Sequence, residues 1–452
     1  MSDDLEISFE RLDGIFDDPV EQATFARLWV RLGERILSRC ADHRTGTRDY
    51  IKLPLHQLAL GLATHWWTLL YEPFRPEEAS PRRSAGHRID SFVSGYVFPA
   101  LGVWSAGAEA LTIETGTVRR LSADPARELT PEEIEVAKHL GETRSVNPRT
   151  LSRAEFTDET RDRVSVSRGD LETGLFDIVA NVVDWIGAGR NSDPDLSERW
   201  GRIVVSLADA AERNYCTAAG RLGFDPYDPD TPDISVFAAE LPEESFDDLC
   251  EAARFDELSD ASAWLSQQQL LLGQAPAIDL AEFGERPALD PARPAWDSGY
   301  RAAIALRQQL SLDEDPRQAT RRLIGDVTKD IAGNAPPAVE GLLFRHEGCL
   351  RTLVKAQSSA QWRFRECRAA YLGWGAEPGS YPLLTTAATH RQQASRAFAA
   401  ELLCPADYLR HAAGRHGLTT DQITEIAEKL DCQTMVVEHQ ARNHRIAVRG
   451  ID

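Results

Sequence analysis

The sequence lacks an apolar run of the ~20 residues that a membrane-spanning helix needs, so no membrane partner is expected. It lacks any CxxC pair. The seven cysteines (Cys40, Cys216, Cys250, Cys349, Cys367, Cys404 and Cys432) lie far apart. That excludes a zinc ribbon, and the odd count fits reduced thiols better than a disulfide framework. It lacks a hydrophobic leader, because Met1-Ser2-Asp3-Asp4-Leu5-Glu6 is acidic; no secretory signal is expected, and a cytoplasmic location is. It lacks positive charge overall. The formal net charge of −21 should repel nucleic acid and anionic membranes. Internal repeats and long low-complexity tracts are also missing.

What charge there is falls unevenly. Residues 341–452 carry 14 Lys and Arg against 11 Asp and Glu, a net of +3. Residues 1–340 carry 36 Lys and Arg against 60 Asp and Glu, a net of −24. A mildly basic C-terminal module therefore follows a strongly acidic body, which reads either as a solvated acidic surface or as a basic site held against an acidic neighbour.

At 452 residues the chain exceeds one compact core, and two or three domains are expected. Residues 1–45 read as helix, with Phe25, Leu28, Trp29, Leu32 and Ile36 at helical spacing. Tyr50–Leu55 reads as a short strand leading into an apolar helix through Leu58, Leu62, Trp66, Trp67 and Leu70. Residues 74–88 read as a loop, 89–120 as a small sheet or irregular packing, and 121–165 as a polar linker. From 170 to 273 the pattern is helical, with one stripe through Leu175, Ile178, Val179, Val182 and Ile186 and another over Ile203–Leu222. The acidic stretch Phe224–Asp230 lacks EF-hand spacing. The last block predicts helices over Trp296–Leu312, Trp362–Trp374, His390–Leu403, Thr419–Leu430 and Val436–Arg442, with a strand at Leu342-Leu343-Phe344. Thr420 is the expected cap of the fourth of these helices. The expected fold is mainly α with minor β and multidomain: an α+β region over 1–165, a helical middle over 166–290 and a C-terminal α+β domain over 291–452.

The run Ala397-Phe398-Ala399-Ala400-Glu401-Leu402-Leu403-Cys404-Pro405 carries the sharpest signal. With Trp296–Tyr300, Arg363-Phe364, Gln392–Pro405 and Val436–Asn443, it resembles the ImmA/IrrE metallopeptidase-like family over roughly the last third of the chain. The resemblance implies an active-site helix with HExxH, whose two His bind zinc from one helix face while the Glu serves as general base. A third ligand is implied on the second helix. With Arg363-Phe364 as anchor, the HExxH window falls on Arg368, Ala369, Ala370, Tyr371 and Leu372, and the third ligand position falls near Gln392. Arg368, Ala369, Leu372 and Gln392 thus stand at degenerate metal-site positions, and a guanidinium cannot bind zinc. His346-Glu347 begins like HExxH but has Leu at 350. His390, His411, His416, His439 and His444 have no acidic partner at ligand spacing. Cys367 and Cys404 have no His at a recognisable spacing for hydrolase chemistry. No catalytic residue, metal or cofactor is expected.

Arg363, Arg365 and Arg368 place positive charge where the metal would sit. They form a candidate site for an anion or a partner carboxylate. The other reading is an internal ion pair of Arg368 with Glu366 or Glu401. Upstream, His65–Glu72, His87-Arg88 and Phe98-Pro99 resemble N-terminal regions of long bacterial ImmA/IrrE-like proteins, although Trp66-Trp67 reads first as packing. The family's roles lie in bacterial stress responses, mobile-element regulation and phage defence, often through a DNA-binding repressor. The expected function is therefore a non-catalytic regulatory or scaffold protein with a protein partner. Two alternatives stay open: an active zinc metallopeptidase, and a nucleic-acid or nucleotide sensor using the basic module.

Overall fold

The computed structural model describes residues 5–14, 16–42, 46–75, 85–93, 96, 98–116, 155–156, 160–290, 293–311, 316–325 and 335–449. It is mainly α with minor β, about 52% helix and 19% strand in several small sheets. Among the described residues no helix is long and apolar enough to cross a membrane. The chain divides into two compact units, Met1–Pro232 with Pro291–Arg293, and Asp233–Asp290 with Pro294–Asp452. This division differs from expected boundaries at 165/166 and 290/291: the helical middle splits at Pro232, and its second half belongs with the C-terminal block.

In the first unit, the expected helix over residues 1–45 is corrected to sheet. Strand Phe25–Leu32 pairs antiparallel with Leu5–Arg11 and with Ile51–Pro54. Ala26, Leu28, Val30 and Leu32 are buried, whereas Arg27, Trp29 and Arg31 alternate with them on the other face. The buried residues follow a period of two, whereas Phe25, Leu28, Trp29 and Leu32 fall at a helical spacing. Among the described residues there, Pro19–Ala23 is the one helix, capped by Asp18, whose Oδ1 accepts from the Val20 N–H at 2.7 Å. Strands Leu101–Ser105, Ala110–Thr115 and Asp162–Ser167 form a second antiparallel sheet. The last of them occupies the end of the expected linker; residues 121–154 and 157–159 of that linker, 76–84 of the expected loop, and 94, 95, 97 and 117–120 of the region expected as a small sheet lie outside the described residues.

Helix His56–Tyr71 carries the tryptophan pair, and the two rings serve different neighbours. Trp66 meets Phe176 and Trp200 edge-on, whereas Trp67 stacks on Tyr71 and donates to the Tyr227 hydroxyl at 3.1 Å. The expected stripe over 203–222 is two helices, Pro194–Ala208 and Ala210–Arg221. Asp209 divides them, ending one and capping the other through the Ala211 and Glu212 N–H groups, both at 2.9 Å. The acidic stretch after them bonds locally: Asp225 accepts from the Tyr227 N–H and pairs with Arg199, both at 3.0 Å.

The second unit centres on a four-stranded antiparallel sheet in the order Ala277–Asp279, Cys349–Val354, Val339–His346, Leu383–Thr385. Helices Ser359–Trp374, His390–Leu403 and Ala295–Gln309 share one apolar core with it. Gly299 sets the crossing of Ala295–Gln309 over His390–Leu403, because a Cβ there would lie 2.2 Å from the Ala394 carbonyl oxygen and 2.8 Å from the Ala397 Cβ. Gly299→Ala should destabilise this unit by about 1–3 kcal/mol in urea denaturation, since backbone cannot yield as a side chain can.

Helices Ala406–Ala413, Thr420–Leu430 and Thr434–Asn443 complete the unit. The second of these is capped by Thr419, one residue before the expected Thr420. Its hydroxyl accepts from the Gln422 N–H at 3.2 Å, while Gln422 accepts from the Thr419 N–H at 2.9 Å. Thr419→Ala should cost about 1 kcal/mol by the same measurement, whereas Thr420→Ala should be nearly silent.

Candidate functional site

Two helices of the second unit present the residues singled out in the sequence. Ser359–Trp374 is capped by Ser358, whose hydroxyl accepts from the Gln361 N–H at 3.2 Å. His390–Leu403 is capped by Thr389, and its first turn is tied down by Arg391, which pairs with Glu244 at 2.7 Å and with Asp248. Asp248 also accepts from the Leu383 N–H at 2.8 Å, which anchors the edge strand. Phe398 is fully buried, with its ring 5.1 Å from Tyr371 and 6.4 Å from Trp374. The helices therefore meet through the part of the Ala397–Pro405 run that reads as packing.

At this junction Arg368 is buried, with 2% of its side chain exposed. Its Nη2 donates to Gln392 Oε1 at 3.0 Å and to the Thr385 carbonyl at 2.9 Å. Its Nε donates to the Ser395 hydroxyl at 3.2 Å, and its Nη1 pairs with Glu340. The fold thus joins two of the four degenerate positions, Arg368 and Gln392, by a direct hydrogen bond. Ala369 and Leu372 are buried in the surrounding apolar core. Gln392 in turn donates to the Leu383 carbonyl at 2.8 Å.

The partner of Arg368 is neither of the carboxylates expected. Glu366 accepts instead from the Thr352 hydroxyl at 2.7 Å. Glu401 accepts from the Ala406 N–H at 3.2 Å and from Gln440 at 2.8 Å. Glu340, on the central strand, takes Arg365 on one oxygen at 2.7 Å and Arg368 on the other. Arg365 and Arg368 are three residues apart on one helix, so they reach the same carboxylate. Arg363 points elsewhere: it pairs with Asp431, and its Nε donates to the Asp431 carbonyl at 3.3 Å. The candidate anion site therefore keeps Arg365 and Arg368 and loses Arg363.

It gains Arg396, which the sequence reading missed. Arg396 donates to the Ala387 carbonyl at 2.9 Å and shares the Thr385 carbonyl with Arg368 at 3.1 Å. Gln392, Ser395 and Arg396 stand at i, i+3 and i+4, a spacing that could have revealed their common face. Nothing local marks Glu340, which lies far from both helices in sequence.

Among the described residues, three guanidiniums gather here around one carboxylate. Burial, with the charge of Arg396, lowers Arg368 to about 10, so it remains charged at neutral pH. Burial likewise lowers Arg396, against the pull of Glu340. For Glu340 burial works upward, but Arg368 and Arg365 outweigh it and hold its carboxyl below the usual range. The arrangement can hold negative charge.

Among the described residues, no three His, Cys, Asp or Glu side chains gather as a metal site. His346 ends a strand and is exposed in the hairpin. His411, His416 and His439 are exposed or partly so, and His390 is the first residue of its helix. His444 does have an acidic neighbour, Glu401 at 3.5 Å, brought to it by the fold rather than by sequence spacing. In the first unit, a groove of about 490 Å³ is lined by Arg88, Glu114, Thr115, Gly116, Arg161, Asp162 and Arg163. Arg163 is paired there with Glu114, and Asp162 with Arg35 at 3.5 Å.

Compared with known proteins, the chain matches no family model, no curated protein and no solved structure.

Proposed function

We propose that residues 291–452 form an ImmA/IrrE-like pseudopeptidase, and that the chain is a non-catalytic, cytoplasmic regulatory or scaffold protein that binds a protein partner in bacterial phage defence or stress response. On this reading, residues 291–452 keep the family's helices while a side-chain network takes the place of the metal. What carries the reading is the hydrogen bond between Arg368 and Gln392, 3.0 Å long and buried. These are the two positions where ligands of the two helices would converge on one ion, and here a guanidinium and an amide converge on each other. The permanent charge of Arg368 sits where a divalent cation would, and Glu340 neutralises it. Arg365 and Arg396, both only partly buried, supply positive charge at the edge of the network, complementary to a partner's carboxylates.

Metal content and DNA binding of the purified chain test this together. No stoichiometric zinc and no DNA retention at low salt are expected. One zinc per chain, lost in His346→Ala, would replace the reading with a working peptidase. Salt-sensitive DNA binding would replace it with a nucleic-acid sensor.

A further inference from the structure

The groove in the first unit is built on one row of residues across a sheet. Arg163 stands opposite Glu114, and Glu114 opposite Gly102. Gly102 in turn forms a single antiparallel bridge with Arg88. Residues level with one another on neighbouring strands present their side chains to the same face. The row therefore reads arginine, glutamate, gap, arginine. A Cβ on Gly102 would lie 3.5 Å from the Glu114 Cβ and 3.7 Å from the Arg88 Cδ, so the missing side chain leaves the hollow between them.

Two of the three guanidiniums lining the groove are held by their neighbours. Arg88 donates through Nε to Asp90 at 2.8 Å, and Asp90 also accepts from the Leu101 N–H at 3.1 Å. Arg163 lies 4.9 Å from the centre of the Phe74 ring and donates through Nε to Glu114 Oε1 at 2.9 Å. The third, Arg161, is exposed, and no ion pair joins it to a described residue. Gly116, at φ +89°, lets it come close: a Cβ there would lie 2.8 Å from the Arg161 Cγ and 3.0 Å from its Cα.

Residues 1–340 carry a net charge of −24, yet the groove sets three arginines against Glu114 and Asp162. Guanidiniums grip a phosphate through paired N–H donors. Carboxylates accept from hydroxyl groups. None of the described lining residues is aromatic, so they offer no ring on which a nucleobase would stack. The volume of about 490 Å³ falls within the range of small-molecule sites. We propose that the groove binds a small phosphorylated polyol, such as a sugar phosphate. Its phosphate sits among Arg88, Arg161 and Arg163, and its hydroxyls donate to Glu114 and Asp162. The site lies within the first unit and does not rest on the reading of residues 291–452.

Isothermal titration of the full chain with glucose 6-phosphate, ribose 5-phosphate and glycerol 3-phosphate tests this, with glucose and inorganic phosphate as controls. At least one ester should bind one-to-one with a dissociation constant of ~1 mM or tighter. It should bind about tenfold tighter than either control, because only the ester engages both the arginines and the carboxylates. Arg161→Gln changes an exposed side chain and should weaken that binding about tenfold without moving the thermal midpoint. Three results overturn the proposal: no binding of any ester by wild type, inorganic phosphate bound as tightly as the esters, or undiminished binding by Arg161→Gln. The wild-type titrations alone can refute it, so the test does not depend on a variant folding.

Discussion

Replacing Glu340 by Ala should cost the second unit about 3–5 kcal/mol. Arg365 and Arg368 each place a guanidinium nitrogen on this carboxylate, with 13% and 2% of their side chains exposed. Removal leaves Arg368 with hydrogen bonds to Thr385, Gln392 and Ser395 but with no described carboxylate in contact. A buried charge stripped of its partner retains its full desolvation cost. Arg396 would also lose the nearby negative charge of Glu340, which favours its protonated form. The thermal midpoint of the unit should fall by roughly 6–20 °C, given ~2–4 °C per kcal/mol for a unit of this size. Urea denaturation followed by tryptophan fluorescence would measure the loss. A change below about 1 kcal/mol would place the cluster among solvent-screened surface pairs and contradict its burial.

The second large effect is on pH dependence and belongs to Glu366. Its carboxyl is buried, the Thr352 hydroxyl is its one side-chain donor among the described residues, and burial raises it from 4.5 to about 7. The folded state therefore holds the proton more tightly than the unfolded chain does. The associated stability is fully present below pH 4.5 and is lost as pH rises through about 7. Above that, the ionised carboxylate should cost roughly 3 kcal/mol, because each tenfold gain in proton affinity on folding is worth about 1.4 kcal/mol. Glu366→Gln removes the titration and leaves a neutral acceptor for Thr352. The variant should match wild type near pH 4.5 and exceed it at pH 8. Denaturation midpoints across that range would check this; a wild-type profile that stays level between pH 5 and 8 would contradict the buried, sparsely bonded carboxyl.

The second unit was more legible in the sequence than the first, for physical reasons. Helix His390–Leu403 occupies the residues expected because Thr389 caps it, Pro405 stops it and Ala394, Phe398, Leu402 fall on one face. Phe25–Leu32 was misread because its apolar residues satisfy two periods at once, and only pairing with Leu5–Arg11 and Ile51–Pro54 decides between them. The grouping of Arg363 with Arg365 and Arg368 failed on rotation: a step of two residues turns a helix about 200°, which sends Arg363 to Asp431. Glu340 was invisible because a strand residue chosen by tertiary pairing leaves no periodic mark. Ser395 and Arg396 were visible in principle, as the i+3 and i+4 neighbours of Gln392.

The central claim is that Arg368, Ala369, Leu372 and Gln392 stand at the positions of a metal centre. Restoring ligands there tests it most directly. The variant Arg368→His, Ala369→Glu, Leu372→His, Gln392→Glu places two His four residues apart on one helix and a carboxylate on the other, a donor set that zinc accepts. Zinc bound per chain would be measured after saturation and desalting, with the fold checked by circular dichroism and wild type alongside. One zinc per folded variant chain, with none retained by wild type, is the expected result. A folded variant that binds no zinc, or a wild type that binds as much, would contradict the account.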